Sequence, residues 1–256
     1  MGSLDNYADE LGRHGLMIPP FSNMSVLGEL IKILRQAPAD MDEKLTVVLS
    51  TIYTPAHLAA MVVSRYAHTE VINLYVETIS EAIEAHLLGL NHVAVAGLMP
   101  VIEGVVVKLS LQHGISAKKD TKKKFIALVG CAIERTKTVK TGDFQQVESM
   151  LTAFLNFLKN YFWEDSSSYP LPDKTNRHGI LHGAYSDADY GYPINFYKTL
   201  TAVDMLCWIS EFQPFQPKAT ADSQALAAYY LMMMDLRPRV RVDARRLIFG
   251  ADTRKV

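Results

Sequence analysis

The chain has 256 residues, 49% of them hydrophobic, which is enough apolar material for one large domain or two small ones and excludes a globally disordered chain. Its formal net charge of −1 and pI near 6.7 exclude bulk charge as an attraction for nucleic acid or membrane, so any such contact has to come from local patches. Two cysteines, Cys131 and Cys207, are too few for a disulfide framework, and their apolar helical surroundings predict buried free thiols.

The opening MGSLDNYADELGRHG lacks the basic start and apolar core of a secretory leader, and a cytoplasmic location is the expectation. MSVLGELIKILRQ (24–36) spaces Leu27, Leu30, Ile31 and Leu34 by threes and fours, the stripe of an amphipathic helix. Asp40 and Glu43 have capping-box spacing ahead of KLTVVLSTIY. Thr54 followed by Pro55 predicts an N-cap and a first-turn proline opening the next helix. The uncharged run 45–64 approaches the ~20 residues of a bilayer span, but that junction and its polar residues argue against one. The same holds for 85–102, which carries His86, Asn91, His92 and Pro100, so no membrane association is expected.

Residues 70–89 read as one long helix closed by Gly89, and 92–114, apolar nearly all round, as a central buried helix. SAKKDTKKK (116–124), with five lysines, is expected as a loop, and Asp143 with Gln146 as the cap of an amphipathic run. WEDSSSYPLPDKT (163–175) is polar and proline-rich, a surface connection. Helices follow at 194–212 and 225–236, with PFQPKATADS (214–223) as a linker between them. Beyond residue 236 the tail holds seven Arg and Lys against two Asp. No strand–turn–strand pattern or internal repeat occurs, so the predicted class is all-α, a multi-helix bundle.

NRHGILHG (176–183) is the stretch with chemical content. Asn176 follows a loop and is placed to cap a short helix. His178 and His182, four apart, share a helix face. Arg177 and His182 lie five apart, about 140° around an ideal helix, so they meet only if the helix end is distorted or a second chain supplies the pairing. Gly179 and Gly183 are expected to admit a second backbone or a ligand. An arginine offers phosphate a permanent bidentate donor, and a histidine passes protons near neutral pH. Together they suit metal-free cleavage of RNA, whose 2′-OH is a built-in nucleophile.

The motif Arg177-His178-x-x-x-His182 resembles the signature of the HEPN superfamily: an arginine, a polar residue, three residues, a histidine. The following helix with Asn-Phe-Tyr-Lys, running into VDMLCWI, and the earlier AGLMPVIEGVVVKL look like parts of bacterial HEPN-type proteins of defence or toxin function. The resemblance covers roughly residues 85–212. It implies a HEPN-like helical domain at 85–215, leaving an N-terminal helical region at 1–84 and a C-terminal helix with basic tail at 216–256. It further implies a metal-independent endoribonuclease without cofactor, working as a homodimer with two motifs across one cleft, with RNA as substrate and an inhibitor or antitoxin protein as a further partner. Carried onto this chain, His182 is the general acid or base, Arg177 holds the scissile phosphate, His178 tunes or positions, and Asn176 and Glu103 orient Arg177.

Two other readings stay open at this stage. One is a non-catalytic helical module for dimerisation or for binding nucleic acid or protein. The other is a metal hydrolase using His178 and His182 with Asp187 or Asp189. Nine of the 24 aromatic residues fall between 161 and 197, a clustering that suits base stacking as well as packing. Tyr185, Tyr190 and Tyr192, flanked by polar residues, are the stacking candidates. Arg237, Arg239 and Arg241 alternate in the tail and could hold phosphates.

Overall fold

The computed structural model describes residues 3–116, 120–140, 144–212, 217–239 and 247–248. Among these the chain forms eleven α-helices and no strand, a multi-helix bundle as the sequence predicts. After α1 (Ser3–Arg13), α2 (Met24–Gln36) buries Leu27, Leu30, Ile31 and Leu34, the stripe its spacing announces. Asn23 caps it, with Oδ1 accepting from Val26 N at 3.0 Å.

In α3 (Met41–Ile52) the expected capping box does not form. Asp40 sits at φ −100°, ψ 32°, outside the extended conformation that aims a side chain back at the first turn. Its carboxylate pairs instead with Lys44 at 2.9 Å. At the next junction Thr54 is extended, and its Oγ1 accepts from His57 N at 3.2 Å at the start of α4 (Pro55–Met61), which runs on as a π-helical turn, Val62–Tyr66. Thr54→Ala should lower stability by about 1 kcal/mol, read as a shifted denaturant midpoint with an unchanged slope.

The single helix predicted over 70–89 is interrupted. Val71 adopts φ +69°, Ile72–Tyr75 form a 3₁₀ turn, and α5 begins only at Val76, running to Leu87. Val71 and Ile72 are both buried, so packing has overridden local helix preference. Gly89, at φ +79°, does close the segment.

α6 (Asn91–Gln112) is the central helix and packs against α5, α7 (Thr121–Val139) and α10 (Pro193–Glu211). It is long and apolar enough to cross a bilayer, and 56% of its most apolar window is buried in the bundle. The other uncharged run is bent by 58° between α3 and α4. The stretch expected as a lysine-rich loop is partly helical: Asp120 Oδ1 accepts from Lys123 N at 3.0 Å, so Lys122, Lys123 and Lys124 form the first turn of α7. Cys131, on α7, is exposed, whereas Cys207, on α10, is buried; both are free thiols.

α8 (Phe144–Phe157) continues as a π-helical turn, Leu158–Phe162, and Asp143, its expected cap, lies outside the described residues. α9 (Arg177–Leu181) is five residues long. α11 (Ala221–Arg237) starts within the expected linker, where Thr220 and Ser223 cap each other reciprocally. One hydrophobic cluster runs from Ala8 to Met233. Contacts of α1 with α8, α3 with α10 and α11 with α4 cross the segment divisions drawn from sequence.

A polar network is sealed inside this core. Asp204 of α10 is fully buried and accepts from the hydroxyls of Tyr53 (3.0 Å) and Tyr66. Nearby, Arg65 Nε donates to Cys207 Sγ at 3.2 Å.

Candidate active site

The loop leading to α9 is not the free surface connection its composition suggests. Asp173, Thr175 and Asn176 are buried. Lys198 of α10 reaches Asp173 Oδ2 at 3.0 Å and donates to His14 O at 2.8 Å, while Asn195 Nδ2 donates to Asp173 O at 2.7 Å. This anchorage fixes where α9 begins.

Asn176 then does three things with one amide. Oδ1 accepts from Gly179 N at 2.8 Å, the expected N-cap. Nδ2 donates to Tyr161 O at 3.0 Å and Glu164 O at 2.7 Å, tying α9 to the turn that ends α8. It is a structural staple and makes no hydrogen bond to Arg177.

Arg177 projects from the first position of α9 toward α6. Its Nε donates to Glu103 Oε2 at 3.0 Å, and NH2 lies 3.0 Å from the same oxygen and 3.4 Å from Oε1, a fork on the carboxylate. The remaining terminal nitrogen, NH1, is 2.7 Å from His182 Nε2 and 3.4 Å from His178 Nδ1. The 140° conflict is resolved because α9 stops at Leu181. His182, at φ −98°, ψ 5°, has left the helix and swings back over its start within one chain.

Side-chain exposures of 16% for Arg177 and 25% for Glu103 place the pair at the surface boundary, with His182 exposed beside it. The indole of Trp163 lies 5.2 Å from the guanidinium carbon and meets the His178 ring edge-on at 5.5 Å. His178 stacks over His182 at 5.8 Å. Burial, then the charges of Arg177 and His182, lower the His178 pKa from its ordinary value. Guanidinium donation to His182 Nε2 leaves that ring's proton on Nδ1.

The close approach allowed by Gly179 belongs to Tyr185 of the same chain. A Cβ on Gly179 would lie 2.1 Å from Tyr185 Cε2, and Tyr185 N donates to Gly179 O at 3.1 Å. This corrects the expectation that a ligand or twin subunit fills that notch. Gly183, at φ +69°, makes the turn after His182 and has open space around it.

The aromatic and basic candidates do not gather here. Tyr185 is wedged on Gly179 with its hydroxyl donating to Ser166 O at 3.1 Å and Lys174 5.1 Å over its ring, so that ring is not free to stack on a base. Tyr190 packs edge-on against His92 at 4.9 Å. Tyr192 and Arg237 line a different cleft, Arg239 is exposed after α11, and Arg241 lies outside the described residues. Asp189 is held by Lys174 at 2.7 Å and by Ser186, which draw its carboxyl well below the ordinary range. Asp187 presents its carbonyl to His92 Nε2 at 3.2 Å. Among the described residues no three His, Cys, Asp or Glu side chains converge to hold a metal, and a guanidinium sits against both His178 and His182.

Trp163 is the member of this constellation that sequence reasoning did not assign; its one signal was membership of the aromatic cluster ahead of the motif. No protein-family model, curated protein or solved structure matches the chain.

Proposed function

We propose that the chain is a metal-independent endoribonuclease of HEPN type. The observation that carries the reading is the NH1–Nε2 contact of 2.7 Å between Arg177 and His182, with the opposite edge of the guanidinium forked on Glu103. Glu103 fixes the direction of the guanidinium. An incoming phosphodiester then replaces His182 as the acceptor for NH1, which sets a phosphate oxygen on arginine and frees the Nε2 lone pair beside it.

His182 takes the proton of the ribose 2′-OH as the 2′-oxygen bonds to phosphorus. The bond from phosphorus to the 5′-oxygen breaks, and that oxygen receives a proton from the protonated His182 of a second copy. The products are a 2′,3′-cyclic phosphate and a 5′-OH. Arg177 offsets the charge developing on the phosphoryl oxygens, and His178, stacked on His182, limits its rotation. The setting proposed is a cytoplasmic defence or toxin system in which an inhibitor protein restrains a homodimer.

The test is cleavage of a mixed RNA pool with excess EDTA. Arg177→Ala and His182→Ala should each lower the rate by about 10²-fold or more. Wild-type rates surviving both substitutions would remove the site assignment.

A second reading, a non-catalytic module for dimerisation or binding, draws on the same contact, because Arg177 and His182 satisfy one another without a substrate. RNA retained but left intact by the wild-type protein selects it.

A further inference from the structure

A half-open cleft of ≈ 760 Å³ lies where the start of α3, the end of α5, the start of α10 and the last turn of α11 meet. That volume is in the range of small-molecule sites, roughly 300–1,000 Å³. Arg177, His182 and Glu103 do not line it, so it stands apart from the proposed nuclease site.

Tyr53, Tyr192 and Tyr197 line the cleft, and the rings of Tyr53 and Tyr197 are 5.6 Å apart and inclined by 26°. Their hydroxyls are committed within the protein. Tyr53 bonds Thr201 and Asp204, and Tyr197 lies 3.3 Å from His86 Nε2. His86 Nδ1 faces Asn91 Oδ1 at 2.8 Å; that oxygen only accepts, so the imidazole proton sits on Nδ1 and Nε2 takes the tyrosine hydroxyl. Burial lowers the His86 pKa to about 4, so the ring is neutral near pH 7. Tyr53, Tyr197, Leu87 and Ile194 are buried, so the apolar surface open to a ligand is that of Val47, Met234 and the half-buried Tyr192.

Charge enters from one side. Asp40, just before α3, and Asp42 and Glu43 in its first turn face, among the described lining residues, one guanidinium, Arg237 of α11. Asp40 is paired with Lys44. Asp42 is partly buried and has no hydrogen bond or ion pair among the described residues. The neighbouring ammonium, Lys198, is held by Asp173 and His14 O. Burial, then the charge of Asp173, raise the Asp42 pKa, the mark of a carboxylate short of a counter-charge.

We propose that this cleft binds a small organic ammonium compound, with its apolar body against Val47, Met234 and Tyr192 and its ammonium on Asp42. The body loses water-exposed apolar area against these side chains, and the cation gains the carboxylate. An anion of the same shape would meet Asp42 and Glu43 instead. Arg237, close enough to act electrostatically on His86 and Tyr197, disfavours a second positive group at that end.

The experiment is isothermal titration of the full chain with phenethylamine and with 3-phenylpropionate, which share a ring and differ in the sign of their charge. The amine is expected to bind at least about tenfold more tightly than the acid, and Asp42→Asn to weaken the amine about tenfold while leaving the acid unchanged or tighter. Thermal unfolding of the variant checks that its fold is intact. No binding of the amine, equal binding of the two ions, or an amine affinity indifferent to Asp42→Asn in folded protein would overturn the proposal. RNA cleavage plays no part in the readout, so the result is independent of the nuclease assignment.

Discussion

Asn176→Ala is expected to cost roughly 3–9 kcal/mol and to take the Arg177 site with it. The residue is 0% exposed and its amide makes three hydrogen bonds, to Gly179 N, Tyr161 O and Glu164 O. Truncation leaves one buried donor and two acceptors short of a partner, each costing about 1–3 kcal/mol. Against a total stability of about 5–15 kcal/mol, that is a large fraction. Aspartate is the informative control. On an exposed helix it caps as well as asparagine, but here it would turn a second acceptor toward two carbonyls that need donors. Asn176→Asp should therefore fail to rescue in urea unfolding, and lost hydrogen-exchange protection at Gly179 N should accompany both variants. A stable, protected Asn176→Asp protein would show that capping alone matters and that the tie to α8 does not.

What the sequence made legible follows from the range of each interaction. The stripe of α2, the apolar α6, the Thr54-Pro55 start of α4 and the Asn176 cap all rest on neighbours within a few positions, where spacing carries the signal. The partnership of Glu103 with Arg177 spans 74 positions, and no local pattern encodes it; family resemblance alone suggested it. Trp163 and the seating of Tyr185 on Gly179 had no such aid, and a tyrosine among polar residues reads as surface until the notch that receives it is seen. The break at Val71 escaped for the opposite reason. Local preference favoured one helix, and burial of Val71 and Ile72 overrode it. Lys122 to Lys124 misled by charge: a lysine run reads as loop, yet Asp120 caps it and Phe125, Leu128 and Val129 bury the other face of α7.

Raising the pH from about 4 to 7 is expected to withdraw a few kcal/mol of stability through Asp204. Burial lifts its pKa from 3.8 to about 7, outweighing the Tyr66 and Tyr53 hydroxyls and the Arg65 charge, which favour the ionised form. Between those values the folded protein keeps the proton and the unfolded chain has released it. The folded state therefore binds more protons, and stability falls as pH rises, levelling off above 7. His86 works in the other direction. Its pKa falls from 6.5 to about 4, so between those values the unfolded chain holds the extra proton and stability rises with pH. Wild type alone would show these two slopes partly cancelling below pH 6.5. Comparison with Asp204→Asn isolates the carboxyl, because the His86 contribution is common to both proteins. The stability difference, wild type minus variant, should be largest near pH 4 and shrink by a few kcal/mol on the way to pH 7, measured from denaturant midpoints at closely spaced pH values. A difference that stays level, or widens toward alkaline pH, would mean that Asp204 is ionised inside the folded core and that the tyrosine hydroxyls and Arg65 outweigh the cost of its burial.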